Sequence, residues 1–150
     1  MKTPNAEVLH LYLSTGQKEN PRKEVKTLEV DPQGVVGDKF YAKDPSRAVL
    51  LASTYSYDLA KANDIKLDVG LLGENIVLNL NPCGLLPGDK IVIGSVTFEV
   101  TQNCTLCKGL SNIDAKLPKL LQKDRGIFVR ALSHGKIKVG DSVEFIQSSK

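Results

Sequence analysis

The chain has 150 residues, of which 41% are hydrophobic and 25% are charged, and its formal net charge at pH 7 is +3. This composition is typical of globular proteins and argues against disorder, and the length predicts a single domain over residues 1–150. No apolar run approaches the ~20 residues that cross a bilayer, and the N-terminus lacks the apolar core of a signal peptide. We therefore expect a cytoplasmic protein with no membrane partner.

The charge and aromatic content argue against nucleic-acid binding. The basic residues are scattered along the chain, Trp is absent and aromatic residues make up 5%. A nucleic-acid-binding domain usually has a basic stripe or aromatic side chains on which bases stack. We therefore expect no nucleic-acid partner, whereas a small anionic ligand is compatible with the slight positive charge.

Short runs rich in β-branched residues alternate with turns that contain Gly and Asp. The predicted strands are Val8–Leu13, Val25–Val30, Arg47–Leu51, Asn75–Leu80, Lys90–Ile93, Val96–Thr101, Ile127–Leu132, Lys136–Val139 and Ser142–Ile146. Gly94-Ser95 predicts a two-residue hairpin turn. One helix is predicted from the N-cap Ser53 to about Asn63. A second runs from Ser111 or Asn112 to about Lys123, and Pro118 interrupts it or lies near its start.

This pattern predicts a mainly β fold. The regular alternation of strands and helices that marks a doubly wound sheet is missing. A closed or partly closed, twisted β-barrel with two short peripheral helices fits best, because closure removes exposed strand edges. The segments 86–91 and 138–143 both place a Gly-Asp turn before a strand, which we interpret as repeated turn chemistry.

Two of the three cysteines form a Cys-x-x-Cys pair, Cys104 and Cys107, directly after a predicted strand. The odd number of cysteines and the expected compartment argue against a disulfide framework. Lys108 favours the thiolate form of its neighbour Cys107. The pair is compatible with small core-filling side chains, a zinc site, a thioredoxin-like dithiol, or one reactive thiol that carries sulfur or binds a soft metal. The remaining candidate zinc ligands are Cys83, His10 and His134.

Two glycine-containing segments and a cation are candidates for ligand binding. In 34–40, glycines such as Gly37 bring backbone N–H groups close to an anion, and Asp38 can hydrogen-bond to the loop or to a ligand. In 70–75, the amide of Asn75 suits the edge of a heterocycle such as a pterin. Taken alone, each segment is explained better by turn structure, a tight turn in the first and an Asx-type turn in the second. Arg47 can bind a phosphate, or it can pair with an internal carboxylate such as Asp38 or Glu74.

Taken together, these segments resemble the MOSC family, which is named for the C-terminal domain of molybdenum-cofactor sulfurases. The order and spacing of the matching segments carry the resemblance. They are 34–40, Arg47 with the strand that follows it, 73–75, 86–89, the Cys104–Cys107 segment, 125–132 and 137–141.

The resemblance implies a twisted β-barrel with a required cysteine that carries a persulfide or binds molybdenum of a pterin cofactor. In the amidoxime-reducing relatives this cysteine is the second of a Cys-x-x-Cys pair, which assigns the metal ligand and catalytic thiol to Cys107. Other members space this region differently, so Cys104 stays an alternative. The same comparison places Arg47, Asn75 and Arg130 along the cofactor pocket. Asp38 and Glu74 would shape the pocket, and Gly37 and Lys39 belong to the same cofactor-binding segment.

The function implied is molybdenum-pterin cofactor (Moco) binding or sulfur transfer. As an enzyme, the protein would be a molybdenum-dependent oxidoreductase for N-hydroxylated compounds, supplied with electrons by a partner reductase. As a carrier, it would be a pyridoxal-phosphate-independent sulfur transferase that serves a cofactor-biosynthesis partner. The sequence lacks the aminotransferase-like domain of the sulfurases, so the sulfur would come from elsewhere. The alternative is a non-catalytic β-barrel interaction module with structural zinc or a Cys104–Cys107 thiol–disulfide pair.

Overall fold

The computed structural model describes residues 6–16, 22–68, 73–103, 114–121 and 124–147. The strands are β1 (Val8–Ser14), β2 (Arg22–Val25), β3 (Thr27–Asp31), β4 (Gly34–Val35), β5 (Val49–Ser53), β6 (Ile76–Leu78), β7 (Lys90–Ile93), β8 (Val96–Asn103), β9 (Ile127–Ala131), β10 (Gly135–Lys138) and β11 (Val143–Ile146). In these ranges two α-helices occur, α1 (Thr54–Ala62) and α2 (Leu117–Leu120), besides a 3-10 turn at Pro45–Arg47. None of the helices described is long and apolar enough to cross a membrane.

The strands form a large mixed sheet and a small one. The large sheet has the order β11-β7-β8-β9-β5-β6-β1-β2, and the small sheet has the order β10-β3-β4. The pair β5–β6 is parallel and is joined through α1, whereas the other strand pairs described are antiparallel. The predicted mainly β fold with two helices is therefore confirmed.

Barrel closure stays a prediction. In the part of the chain that the structure describes, β2 and β11 are the ends of the large sheet. The start of β1 nevertheless approaches β11 through one antiparallel bridge between Glu7 and Ser142. Two backbone hydrogen bonds of 3.0 Å accompany it, from Val8 N to Asp141 O and from Val143 N to Ala6 O.

The core lies between the two sheets, and a smaller apolar cluster lies under the helices. The central side chains are wholly buried aliphatic and aromatic groups, among them Leu11, Leu51, Ile76, Phe98 and Ile127. Strand residues on alternate sides of β8 are buried and half-buried in turn, which is the period-two pattern that a sheet with one face on a core requires. The second cluster packs α1 against α2 and contains Tyr57, Ala60, Ile65, Leu117 and Leu121.

The strand and helix predictions are confirmed where local signals are strong. The hairpin β7–β8 turns at Gly94-Ser95, with Ile93 paired to Val96 and a Gly94 φ of +59°. Helix α1 begins after Ser53, whose side chain accepts a hydrogen bond from Tyr55 N, and ends at the C-cap Asn63. Helix α2 has Pro118 in its first turn, which is one of the two expected placements, but its predicted bounds are wrong. Residues 114–116 are not helical, so the helix begins at Leu117 and not at Ser111 or Asn112, and it ends at Leu120. Residues 104–113 and 122–123 lie outside the described part.

Two strand predictions are wrong in their bounds. The predicted strand Val25–Val30 is two strands, because β2 pairs with β1 in the large sheet whereas β3 pairs with β10 in the small one. The chain bends between the two sheets at Lys26. Arg47 was expected to begin β5, but it ends the 3-10 turn. Asp44 caps that turn by accepting from Ser46 N at 3.2 Å.

The repeated Gly-Asp turns have matching geometry. In the first turn, Leu86 N donates to Asp89 Oδ2 at 2.8 Å, and in the second, Lys138 N donates to Asp141 Oδ2 at 2.9 Å. The glycines before the two aspartates have φ of +97° and +93°, which is the left-handed region that favours glycine. The interpretation as repeated turn chemistry is therefore confirmed.

Gly126, at the start of β9, gives a test of this packing. Its φ is +155°, and a Cβ added there would lie 2.7 Å from the backbone oxygen of Leu51. Gly126→Ala should therefore lower the free energy of unfolding by about 1–3 kcal/mol in urea denaturation. Gly84→Ala is the control, because its Cβ meets no atom within 4 Å. Equal stability of the two variants would contradict the strand geometry around Gly126.

Candidate functional site

A buried carboxylate ties the turn after β4 to the end of β1. Asp38 is 6% exposed, and its Oδ1 accepts from Ser14 N at 2.7 Å while its Oδ2 accepts from Phe40 N at 3.0 Å. Lys39 N donates to Ser14 O at 2.8 Å, so the same two segments are joined twice. Gly37, with a φ of +87°, provides the turn that brings Asp38 back to β1.

Asn75 joins this carboxylate to three strands. Its Nδ2 donates to Asp38 Oδ1 at 3.1 Å and to Tyr12 O at 3.2 Å, and its Oδ1 accepts from Leu50 N at 3.0 Å. Both amide protons are therefore used within the protein, and the side chain is 4% exposed. Asn75 thus holds β1, β5 and the start of β6 against the Asp38 turn.

Glu74 and Arg22 extend the buried polar cluster. Glu74 is fully buried, and its Oε2 accepts a hydrogen bond from the Tyr57 hydroxyl of α1. The Arg22 guanidinium donates to the Glu74 carbonyl oxygen and to Ser14 Oγ, and its Cζ lies 5.7 Å from the centroid of the Tyr12 ring.

Burial shifts the pKa values of Arg22 and Tyr12 in the direction that favours their neutral forms. It lowers the pKa of Arg22 although Glu74 and Asp38 act in the opposite direction. Burial raises the pKa of Tyr12 to about 12, and the negative charges of Glu24 and Glu74 act in the same direction. The Tyr12 hydroxyl therefore stays protonated at neutral pH.

A small apolar platform lies beside Asn75. Leu50 pairs with Phe128 between β5 and β9, and their buried side chains form a cluster separate from the main core. Gln102 of β8 continues the same row, opposite Phe128. The Arg47 guanidinium carbon lies 5.6 Å from the centroid of the Phe128 ring, and the Thr101 hydroxyl donates to Ser46 O at 2.6 Å and so holds the Arg47 turn against β8.

The predicted cationic residues are exposed and lie apart from the buried pair. Arg130 is exposed and its Nε donates to Pro32 O at 2.9 Å, while the Lys39 Nζ lies 5.2 Å from the centroid of the Phe40 ring. Within the described ranges, no hydrogen bond or ion pair joins Arg47 or Arg130 to Asp38, Glu74 or Asn75. Of the two alternatives for Arg47, pairing with Asp38 or Glu74 does not occur among these residues, and Arg22 is a cation that lies beside Glu74.

The two cysteines predicted to be reactive lie outside the described residues. Strand β8 ends at Asn103, which pairs with Ile127 of β9, so the segment carrying Cys104 and Cys107 begins at the end of this row. The roles assigned to both thiols stay predictions. Among the residues that the structure describes, no group of three potential ligands could hold a metal ion. His10 lies 2.8 Å from Glu24, and His134 pairs with Glu29.

The sequence analysis missed the residues that organise this site. Most of the contacts made by Arg22, Ser14 and Tyr57 join residues more than ten positions apart in sequence. The exception is the contact between Arg22 and Ser14. Leu50 and Phe128 were interpreted only as strand residues. Arg22 stands among Glu19, Lys23, Glu24 and Lys26 in the sequence, so no local signal distinguished it from an exposed ion-pair residue.

The fold and the site together define a small, mainly β domain in which a buried Asp38–Asn75 pair joins β1, β5 and the residue before β6. The family model of the MOSC domain matches residues 37–144, and the chain belongs to this family. MOSC domains are commonly linked to molybdenum-cofactor binding or sulfur transfer.

Solved structures of MOSC-type proteins share the fold. The YuaD protein from Bacillus subtilis superimposes with a TM-score of 0.74 at 17% identity, covering 99% of this chain and 100% of that one. YiiM from Geobacillus stearothermophilus gives 0.71 at 18% identity, covering 95% and 75%. YiiM from Escherichia coli gives 0.67 at 20% identity, covering 100% and 72%. A search of curated proteins found no significant match.

Asn75→Ala tests the central role of the buried amide. The substitution removes the side-chain hydrogen bonds of Asn75 to Leu50 N, Tyr12 O and Asp38 Oδ1. The free energy of unfolding should therefore fall by about 2–4 kcal/mol. The control is Asn63→Ala, because Asn63 is exposed and its Nδ2 bonds only to Leu59 O. Chemical denaturation of both variants measures the difference. A loss at Asn75 no larger than at Asn63 would show that the network is not a stabilising element.

Proposed function

We propose that the protein binds a molybdenum-pterin cofactor, or carries sulfur for it, through the thiolate of Cys107. Cys104 is the alternative thiol. The observation that carries the proposal is the row Gln102–Phe128–Leu50–Asn75, which lies at the end of β8 where the Cys-x-x-Cys segment begins. The family membership of residues 37–144 supports the same assignment.

The chemistry of this row fits such a cofactor. A pterin ring is flat with polar edges, so its faces would contact the apolar Leu50–Phe128 cluster, whose two residues are 6% and 7% exposed in this structure. The phosphate of the cofactor requires cationic donors, which the exposed Arg47, Arg130 and Lys39 can supply. The buried amide of Asn75 keeps the adjoining wall rigid. The residues present therefore fit the group.

Each residue has a separate task in this proposal. Arg47 and Arg130 bind the anionic part, with Lys39 and the backbone of Gly37 at the neighbouring turn. Asp38 and Glu74 shape the wall from within, because their buried carboxylates hold the segments that carry the exposed groups. Cys107 supplies the soft thiolate ligand.

The bound cofactor would supply a metal centre for reduction of N-hydroxylated compounds. In that version a partner reductase provides the electrons. In the carrier version, Cys107 holds one sulfane sulfur as a persulfide, transfers it to a cofactor-biosynthesis partner and returns to the thiolate. Both versions need one accessible, deprotonated thiol. We further propose that the protein is cytoplasmic and has one domain over residues 1–150. We also propose that its sheet forms a closed or partly closed barrel, and the Glu7–Ser142 bridge supports this last point.

Cysteine replacement tests the thiol assignment. After anaerobic, cofactor-replete expression, Cys107→Ser should lose most of the bound molybdenum or of the persulfide, because serine cannot replace a soft thiolate. Cys104→Ser should retain both. Cys83→Ser is a further control, since Cys83 lies in the described part of the chain, apart in sequence from the Cys-x-x-Cys pair. Elemental analysis and intact-mass spectrometry measure metal and persulfide on the same sample.

The result identifies the class of protein as well as the residue. Loss in Cys104→Ser alone would move the role to Cys104. Stoichiometric zinc in the parent protein, lost with either cysteine, would contradict the proposal and support the structural zinc module. Reversible oxidation of Cys104 with Cys107, without molybdenum or persulfide, would support the thiol–disulfide alternative.

Arg47→Gln tests the anion-binding part of the platform. Because a guanidinium bound to a phosphate makes a charge-assisted hydrogen bond, its loss should lower cofactor retention about tenfold. Lys43→Gln removes the same charge from an exposed residue in the same loop and is the matched control. Molybdenum per protein after extended dialysis measures retention. Equal retention in both variants would exclude Arg47 from the binding site.

A further inference from the structure

We propose that Arg22 is a positioning residue that keeps Asp38 and Asn75 aligned by holding the backbone segments beside both. No sequence motif indicates this role for Arg22. Its relevance to cofactor binding rests on the proposed function. The alignment itself can be measured without any cofactor.

The contacts of Arg22 reach both halves of the buried pair. Arg22 lies opposite Ser14 in the β1–β2 register, and its guanidinium donates to Ser14 Oγ. The backbone N–H of the same Ser14 donates to Asp38 Oδ1 at 2.7 Å. The guanidinium also donates to the carbonyl oxygen of Glu74, which belongs to the peptide bond that Glu74 forms with Asn75. The Arg22 side chain therefore contacts Ser14, whose N–H binds Asp38, and also Glu74, which precedes Asn75 in the chain.

The surroundings require arginine in this place. A planar guanidinium donates in two directions at once, whereas the ammonium of lysine is a single point on a flexible chain. The Tyr12 ring lies 5.7 Å from Arg22 Cζ and supports the plane by a cation–π contact. Arg22 Nε is buried and has no hydrogen-bond partner in the described part of the chain. The two donations to Ser14 and Glu74 therefore fix the orientation of the group.

Arg22 also connects the edge of the sheet to the site. Strand β2 is the last strand on its side of the large sheet, and its own pairing is limited to β1. The Arg22 side chain crosses β1 to reach Glu74, and Tyr57 of α1 holds the carboxylate of that same residue. If β2 moved, Arg22 would move the Glu74 carbonyl group and, through that peptide bond, the neighbouring Asn75.

Hydrogen exchange in the full chain measures this role directly. In Arg22→Gln, the Ser14 backbone N–H and the Asn75 side-chain amide should exchange at least about tenfold faster, because a hydrogen bond to a charged group is lost beside each. Arg22→Lys should lie between Arg22→Gln and the parent, since it keeps the charge and loses the fork. Lys23→Gln is the matched control, because Lys23 is exposed on the same strand and should exchange like the parent.

The comparison with a core amide separates positioning from general loss of stability. Phe98 is wholly buried in the main core, so its N–H exchange reports global unfolding. A rise at Ser14 and Asn75 that exceeds the rise at Phe98 supports the proposal. An equal rise at all three positions, or a response no greater than in Lys23→Gln, overturns it.

A second variant keeps the test decisive where Arg22→Gln does not fold. Ser14→Ala removes the hydroxyl that accepts from Arg22 and leaves the Ser14 backbone N–H in place. Faster exchange is expected at the backbone N–H of residue 14, whereas the Asn75 amide should change less because the guanidinium still donates to the Glu74 carbonyl oxygen. No acceleration at position 14 overturns the proposal. Molybdenum retention is measured separately. If the parent protein holds neither molybdenum nor persulfide, the proposed function alone is contradicted. If the parent holds cofactor but Arg22→Gln exchanges at the same rates as the parent, the Arg22 proposal alone is contradicted.

Discussion

The hydrogen bonds that surround the buried Asp38 carboxylate, including the one from Asn75, are the constraint on which the rest of the site depends. A buried carboxylate is unfavourable unless donors surround it, and here the donors come from Ser14 N, Phe40 N and the Asn75 amide. These donors belong to β1, to the turn after β4 and to the residue before β6. Satisfying one side chain therefore fixes the paths of three distant segments. The exposed residues of the turn, Gly37 and Lys39, acquire defined positions as a consequence.

The parallel pair β5–β6 explains how the apolar platform comes to lie beside this network. Leu51 pairs with Ile76, so the preceding residues Leu50 and Asn75 are neighbours across the two strands. Two hydrogen bonds join them, from Asn75 N to Leu50 O and from Leu50 N to Asn75 Oδ1. A parallel pair requires a crossover connection, and α1 lies in it. The helix thus contributes to the site by setting this register as well as through Tyr57.

Local chemistry was enough to predict most strands and the first helix, but not the partners of their polar side chains. β-branched runs, the Gly94-Ser95 turn and the Ser53 cap act over a few residues and are readable in sequence. The split between β2 and β3 depends on which sheet each strand joins, and Asp44 with Pro45 draws Arg47 into a 3-10 turn. Arg22 contacts Glu74 across 52 positions, a distance at which sequence pattern carries no information. Asp38 and Asn75 were both singled out from the sequence as candidate site residues, whereas their mutual contact was not foreseen.

The separation between buried and exposed polar groups bears on how one fold can serve two chemistries. Asn75 has both amide protons bonded within the protein, and Asp38 is surrounded by backbone donors, so these residues hold the wall in either version of the function. Among the described residues, the groups that remain available to a ligand are exposed cations such as Arg47, and the proposed thiol belongs to the segment that follows β8 in the sequence. Persulfide transfer and metal ligation differ only in what the thiolate holds. The choice between them consequently depends on that segment and on the partner that meets it, while the sheet can stay the same.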